Sequence, residues 1–181
     1  MASFLKEKYE KSVKKELQQK FDLKNVMAVP KILKVSVNSG IGKYLKEKDA
    51  IDEISENLKV ISGQKPVFSK SKKSIAGFKI RQGQEVGVSV TLRGQRMWHF
   101  LERLISSALP RVRDFRGIDK KNIDEKGNLN MAVKEQIVFP EIVPETVKTI
   151  FGFQVNVSTS AKTREEGLEL FRLLGFPIKQ E

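Results

Sequence analysis

The 181-residue sequence has no cysteine and a single histidine, His99. Without cysteine, disulfides, thiolate zinc sites and cysteine nucleophiles are excluded. A histidine serving as base or metal ligand needs partners at defined spacing, and none stands near His99, which reads as an ordinary helix residue. No apolar run approaches the ~18 residues that a membrane span needs. The first residues are charged from Lys6 onward and lack an apolar h-region, so no secretory signal is expected there. A further lack is local. From Ser62 to Gln84 there is no acidic residue.

That acid-free stretch, SGQKPVFSKSKKSIAGFKIRQGQ, carries Lys65, Lys70, Lys72, Lys73, Lys79 and Arg81. Phe68 and Phe78 stand among the cations, with Ser62, Ser69, Ser71 and Ser74 as hydroxyl donors and Gly77 and Gly83 as points of bending. Cations neutralise phosphates, hydroxyls bond phosphate and sugar oxygens, and aromatics stack on unpaired bases. The plainer alternative is a solvated lysine-rich loop. The whole chain leans the same way: 34 Lys+Arg against 22 Asp+Glu give +12. Such an excess favours a polyanion, nucleic acid before an anionic membrane surface. Apolar residues make up 39% of the chain, enough to build a core.

Periodicity supplies the elements. Leu5, Tyr9, Val13, Leu17 and Phe21 recur every four residues and predict an amphipathic helix over Ser3 to Phe21. Lys31 to Asn38 predicts a strand whose alternation Leu33 interrupts. The following Asn38-Ser-Gly-Ile-Gly-Lys43 fails the nucleotide P-loop pattern, because Gly40 and Gly42 are too close and Tyr44 follows Lys43. It reads as an RNA phosphate site or as a turn needing positive φ. Asp49 to Ser62 predicts a helix with Ile51, Ile54, Leu58 and Ile61 on one face and Gly63 as its cap. Its early acids, Asp49, Asp52, Glu53 and Glu56, match the helix dipole more simply than they match a metal.

Glu85 to Leu92 alternates cleanly, with Val86, Val88, Val90 and Leu92 on one face and Gly87, Ser89 and Thr91 on the other. A helix from about Gln95 to Ala108 follows, stopped by Pro110, with Met97, Trp98, Leu101, Leu104 and Ile105 inward. Ile118 to Val133 reads as a hairpin or long loop with its tip at Lys126-Gly127-Asn128. Gln136 to Phe139 reads as a short strand, Pro144 to Phe151 as a short helix and Gly152 to Ser158 as a strand. Thr163 to Leu174 reads as a closing helix with a capping box and Gly175 as its C-cap. Together these predict an α+β fold: an antiparallel or mixed twisted sheet with helices on one face and the other face free for a ligand.

Several segments resemble one family. Leu58 to Arg81, Val90-Thr-Leu-Arg-Gly-Gln-Arg-Met-Trp98, Leu109-Pro-Arg-Val-Arg-Asp-Phe-Arg-Gly117 and Gln136-Ile-Val-Phe-Pro-Glu141 resemble the bacterial large-subunit ribosomal protein family that binds 5S rRNA, universal large-subunit protein five. The resemblance runs in order along essentially the whole chain. It implies a single compact domain over 1–181, made of an N-terminal family region at 24–81 and a C-terminal one at 85–178. It implies a structural, non-catalytic component of the 50S subunit in the cytoplasm, with no cofactor, metal or membrane. The implied partners are 5S rRNA in the central protuberance, large-subunit rRNA, P-site tRNA and a small-subunit head ribosomal protein in an intersubunit bridge. The implied sheet is concave on its RNA side.

Carried onto this sequence, the resemblance assigns rRNA binding to Asn38, Gln64, Lys65, Ser69, Lys70, Lys72, Thr91 and Arg93. It assigns the tRNA contact to the loop around Lys73 to Gln84, through Lys73, Ser74, Gly77, Phe78, Lys79 and Arg81. Arg111 to Arg116 is the candidate bridge surface. Two other classes stay distinguishable by experiment. An RNA-acting or nucleotide-using enzyme would turn over a nucleotide, although its base, nucleophile or metal cluster is missing from the residue inventory. A peripheral membrane protein using the first helix would float with liposomes after RNase treatment.

Overall fold

The computed structural model describes residues 3–45 and 47–179. Met1, Ala2, Lys46, Gln180 and Glu181, parts of the expected 1–181 domain, lie outside the described residues. Five strands form one sheet: β1 (Ile32–Gly40), β2 (Val67–Lys70), β3 (Glu85–Leu92), β4 (Leu129–Val133) and β5 (Phe153–Thr159). Their spatial order is β2-β3-β1-β5-β4, and every neighbouring pair is antiparallel. Among the described residues four helices accompany the sheet. They are α1 (residues 4–20), α2 (Lys48–Ser62), α3 (residues 94–111) and α4 (Arg164–Leu174). The predicted α+β architecture is therefore the observed one.

Alternation along the strands decides what each face does. Val35 and Val37 of β1, Val88, Val90 and Leu92 of β3, and Val155 and Val157 of β5 are buried in one continuous core. Into it α2 sends Ile54, Leu58 and Ile61, and α3 sends Met97, Trp98, Leu101 and Leu104. Phe100, which the periodic reading of α3 passes over, is fully buried and stacks on Phe139 with ring centroids 6.0 Å apart. Leu33 breaks alternation because the β1–β5 register shifts between Ile32 and Lys34, and it is left exposed.

The four-residue spacing in α1 lags an ideal helix by about 40° per step. A π-helical stretch at Tyr9–Val13 takes up that lag, and Leu5, Tyr9, Val13 and Leu17 are all buried. The Tyr9 hydroxyl donates to the Pro30 carbonyl at 2.9 Å. Burial, aided by nearby Glu10, pushes that phenol up to about 12.

Four local expectations need correction. Pro110 does not stop the helix after Ala108; a π-helical stretch at Leu104–Ala108 widens it, and Leu109–Arg111 adds a last turn with Pro110 near its start. Gln136–Val138 is a 3-10 turn rather than a strand. The Gln136 side chain is fully buried, donates to Thr149 O at 2.7 Å and accepts from Phe151 N at 2.9 Å. Pro144 to Phe151 forms only a 3-10 turn at Pro144–Thr146, because the next amides, Lys148 and Thr149, bond the Glu53 carboxylate instead of earlier carbonyls. Gly40 and Gly42 do not have positive φ; Gly40 ends β1 and Gly42 opens a 3-10 turn.

Glu53 and Asp124 are carboxylates that organise loops. Partial burial raises both, but hydrogen bonds from Lys148 and Thr149, and from Asn128 and Lys126, together with the adjacent lysines, leave each below its ordinary value. A carboxyl whose folded pKa is depressed stabilises the fold above its unfolded pKa and loses that contribution as pH falls through the folded value. The melting temperature is therefore expected to fall with pH below about 4, less steeply in Glu53→Gln and Asp124→Asn. An unchanged acid slope in both variants would contradict this role.

Candidate nucleic-acid interface

The sheet face opposite the helices is open and largely polar. One cross-strand line runs Thr91–Ser36–Asn156–Asn130, and the next runs Val67–Ser89–Asn38–Gln154–Ala132. All these residues are exposed or half-exposed. Ser69, Gly87 and Gly40 extend the face toward one end, and Lys34 and Ser158 toward the other. Hydroxyls and amides dominate; Lys34 and Glu85 bring charge only at the margins. The Asn156 side-chain amide donates to the Asn130 carbonyl oxygen, which fixes the orientation of both.

Side chains this short leave the backbone open to close approach. Gly87 lies flat beside Asn38, whose Oδ1 would be 3.8 Å from a Cβ at that glycine. Neutral donors and acceptors on an open surface suit sugar hydroxyls and base edges in a shallow groove, where they add discrimination rather than bulk charge.

The charge lies along the β2 border. There Gln64 donates from Nε2 to Thr91 O at 3.3 Å, and Arg96 donates to Gln64 Oε1 at 3.4 Å. Thus Gln64, Thr91 and Arg96 form one corner, with Arg93 exposed at the start of α3. Lys65, Ser69, Lys70 and Lys72 are exposed along the same edge. Of the sequence-assigned rRNA residues, Asn38 alone lies in the middle of the open face, in β1 rather than at its end.

Residues 71–84 are a hydrogen-bonded hairpin that continues β2 and β3. Ser71 N donates to Gln84 O and Gly83 N to Ser71 O, and Ile75 pairs with Ile80. The Ser74 hydroxyl accepts from Gln82 N at 2.9 Å, and Gln84 Oε1 accepts from Arg81 N at 3.1 Å. Lys79, not Gly77, takes the left-handed conformation at the tip. Lys72, Lys73, Lys79 and Arg81 are exposed around Phe78, itself 72% exposed. An aromatic this exposed contributes nothing to the core and is free to stack.

Among the described residues no group of three or more His, Asp or Glu could hold a metal. His99 is exposed on α3, and no described helix is long and apolar enough to cross a membrane.

Comparison with known proteins gives the family. The model of ribosomal protein L5 matches residues 25–81, and that of the ribosomal L5P family C-terminus matches residues 85–178. The chain belongs to the ribosomal protein L5 family. Its relatives include the large ribosomal subunit protein uL5 of Colwellia psychrerythraea, 48% identical over 96% of both chains. That of Brevibacillus brevis is 47% identical over 99% of this chain and 100% of the relative. As a member of the L5 family, the chain is a ribosomal protein of the large subunit, a structural component and not an enzyme.

The boundary between the two L5 regions does not divide the sheet. β1 and β2 come from the first region, β3 to β5 from the second, and β1 is hydrogen-bonded between β3 and β5. The sequence reading of this L5 face placed Ser89 on the open side of its strand but missed Ser36, Asn130, Gln154, Asn156 and Arg96. The signal for two of them was present: in Phe153-Gln-Val-Asn-Val-Ser-Thr159 the polar residues alternate with the buried ones.

Proposed function

We propose that the chain anchors 5S rRNA in the central protuberance, using the polar sheet face for recognition and the β2 border for charge neutralisation. The observation that carries this reading is the division of chemistry. Neutral amides and hydroxyls fill the open face, and cations line one edge of it. Asn38, Gln64 and Thr91 are the specifying residues. Lys65, Ser69, Lys70, Lys72 and Arg93 hold the phosphate backbone, and other large-subunit rRNA meets the same border.

The hairpin at residues 73–84 reaches P-site tRNA, with Lys73, Ser74, Gly77, Phe78, Lys79 and Arg81 at or near its tip. A small-subunit head protein meets the surface at Arg111 to Arg116. We also propose that residues 1–181 act as one domain, since β1 of the first L5 region has both of its neighbours, β3 and β5, in the second, and separating the regions would strip it of both.

Titration of the full chain into labelled 5S rRNA and into tRNA across a salt series tests the reading. The expected result is 5S binding that persists at salt concentrations that abolish tRNA binding. Lys72→Ser is expected to weaken binding modestly and to flatten the slope of log K against log salt by about one unit or less. Equal, salt-labile binding to both RNAs would reduce the chain to an electrostatic contact.

A further inference from the structure

The last carbonyls of a helix have no partner within it. At the end of α2 the Gly63 amide donates to Lys59 O at 2.8 Å, and Arg103 of α3 donates from one guanidinium nitrogen to Ile61 O at 2.7 Å. A second guanidinium nitrogen of Arg103 donates to Glu141 Oε1. Both side chains are largely shielded from solvent. Glu141 Oε2 is buried and meets no donor among the described residues. Arginine suits this place because its planar fork reaches a carbonyl and a carboxylate at once, whereas an ammonium is a point charge. A cation also favours the negative end of a helix dipole.

From that held end the chain passes through Ser62 and Gly63 to the recognition corner. Ser62 is buried, and its hydroxyl donates to Gln64 O at 3.0 Å and accepts from Gln64 N at 3.3 Å. The Gln64 side chain then spans Thr91 O and Arg96. Arg96 and Arg103 stand two turns apart on one face of α3, with Phe100 fully buried between them. Thus α3 grips the turn twice, by Arg103 at its backbone and by Arg96 at its side chain. A side-chain amide has two donor hydrogens and two acceptor lone pairs. With one of each used inside the protein, Gln64 keeps one donor and one acceptor for RNA, and their direction depends on where the turn is held.

We propose that Arg103 is a positioning residue for RNA recognition: oriented by Glu141, it fixes the 62–64 turn and so aims the Gln64 amide, without itself touching RNA. The inference rests on the reading of Gln64 as a specifying residue and adds what sets its geometry.

The test must separate aim from stability. Arg103→Met alone strands a shielded carboxylate and should lower the melting temperature. Arg103→Met with Glu141→Leu removes both charges, and such a replacement of an ion pair by apolar side chains is often neutral. That doubly substituted protein should melt close to the parent. Its net charge is the parent's, so the salt slope of RNA binding should be unchanged. Its 5S rRNA affinity should still fall about three- to tenfold, the size of a lost hydrogen-bonded contact, with tRNA binding as in the parent. Gln64→Ala should show the same loss, and combining all three changes should add nothing to it, as for residues that act through one another. In the full chain without RNA, the Gln64 side-chain amide resonances should move in the doubly substituted protein, read by proton–nitrogen NMR. Unmoved resonances would overturn the proposal. So would parent-like 5S rRNA affinity in the doubly substituted protein where Gln64→Ala loses it, or a loss that adds to that of Gln64→Ala. A Gln64→Ala protein that bound 5S rRNA like the parent would instead refute the recognition reading, and the amide resonances would still decide whether Arg103 sets the turn.

Discussion

Replacing Gly167 with alanine is expected to lower the melting temperature by about 5–15 °C, the equivalent of roughly 2–4 kcal/mol in a chain of this size. Helix propensity alone gives the opposite sign, because alanine within a helix is favoured over glycine by about 1 kcal/mol. The contact decides. A Cβ on Gly167 would stand 2.4 Å from the Gly127 Cα and 2.5 Å from its carbonyl oxygen. Both are backbone atoms, and no rotamer change can relieve the overlap.

The turn that α4 would have to push away is itself held from several sides. Asp124 accepts from Lys126 N and Asn128 N at 3.0 and 2.7 Å. Asn128 Oδ1 accepts from Thr159 N at 2.9 Å, and the Thr159 hydroxyl donates to Gly127 O at 2.9 Å. Displacing α4 therefore strains the end of β5 as well. Gly77→Ala is the control: nothing lies within 4 Å of its Cβ position and its φ is not positive. It should melt like the parent. A Gly167→Ala protein as stable as the parent would refute the close packing of α4 on this turn.

Asn38→Ala combined with Gln154→Ala is expected to reduce 5S rRNA affinity by about 10- to 100-fold, from the loss of two to three hydrogen bonds of roughly 0.5–1.5 kcal/mol each. The two residues face each other across β1 and β5 and are both exposed. Neither supports the core, so the melting temperature should stay within a degree or two, as for surface substitutions generally. Neither carries charge, so the salt dependence of the remaining binding should match the parent's. An affinity change below twofold would remove the open face from the recognition surface.

The parts legible in the sequence were those where burial alone selects the residue. The alternation of Val86, Val88, Val90 and Leu92 could only be a half-buried strand, and the cap at Gly63 has the expected left-handed φ of 67°. Thr163 accepts from Glu166 N as its capping box requires, although the Glu166 carboxylate reaches Lys162 N instead of the cap residue's own amide.

Two of the misreadings, at Gln136 to Phe139 and at Pro144 to Phe151, share one cause. Gln136 and Glu53 satisfy backbone groups 13 to 96 residues away, and local periodicity carries no trace of such partners. The acids at the start of α2 looked like dipole complements, yet one of them, Glu53, ties down the 148–149 segment. At the site, the acid-free stretch drew attention to charge at the β2 edge. The neutral residues of β5 and β4 complete the face, but their place in it was hidden, because strand order brings them beside β1 only in the folded chain.

The most direct test crosses the two halves of the interface. Binding of 5S rRNA and tRNA would be measured across a salt series for the parent, for the Asn38→Ala, Gln154→Ala protein, and for a hairpin variant with Lys72, Lys73, Lys79 and Arg81 replaced by serine. The face variant should lose preference for 5S rRNA and keep the parent's salt slope. The hairpin variant should keep the preference and show a slope shallower by up to about four units, one per cation removed. If the hairpin variant lost the preference while the face variant kept it, recognition would reside in the charged edge, and the division of labour described here would be wrong.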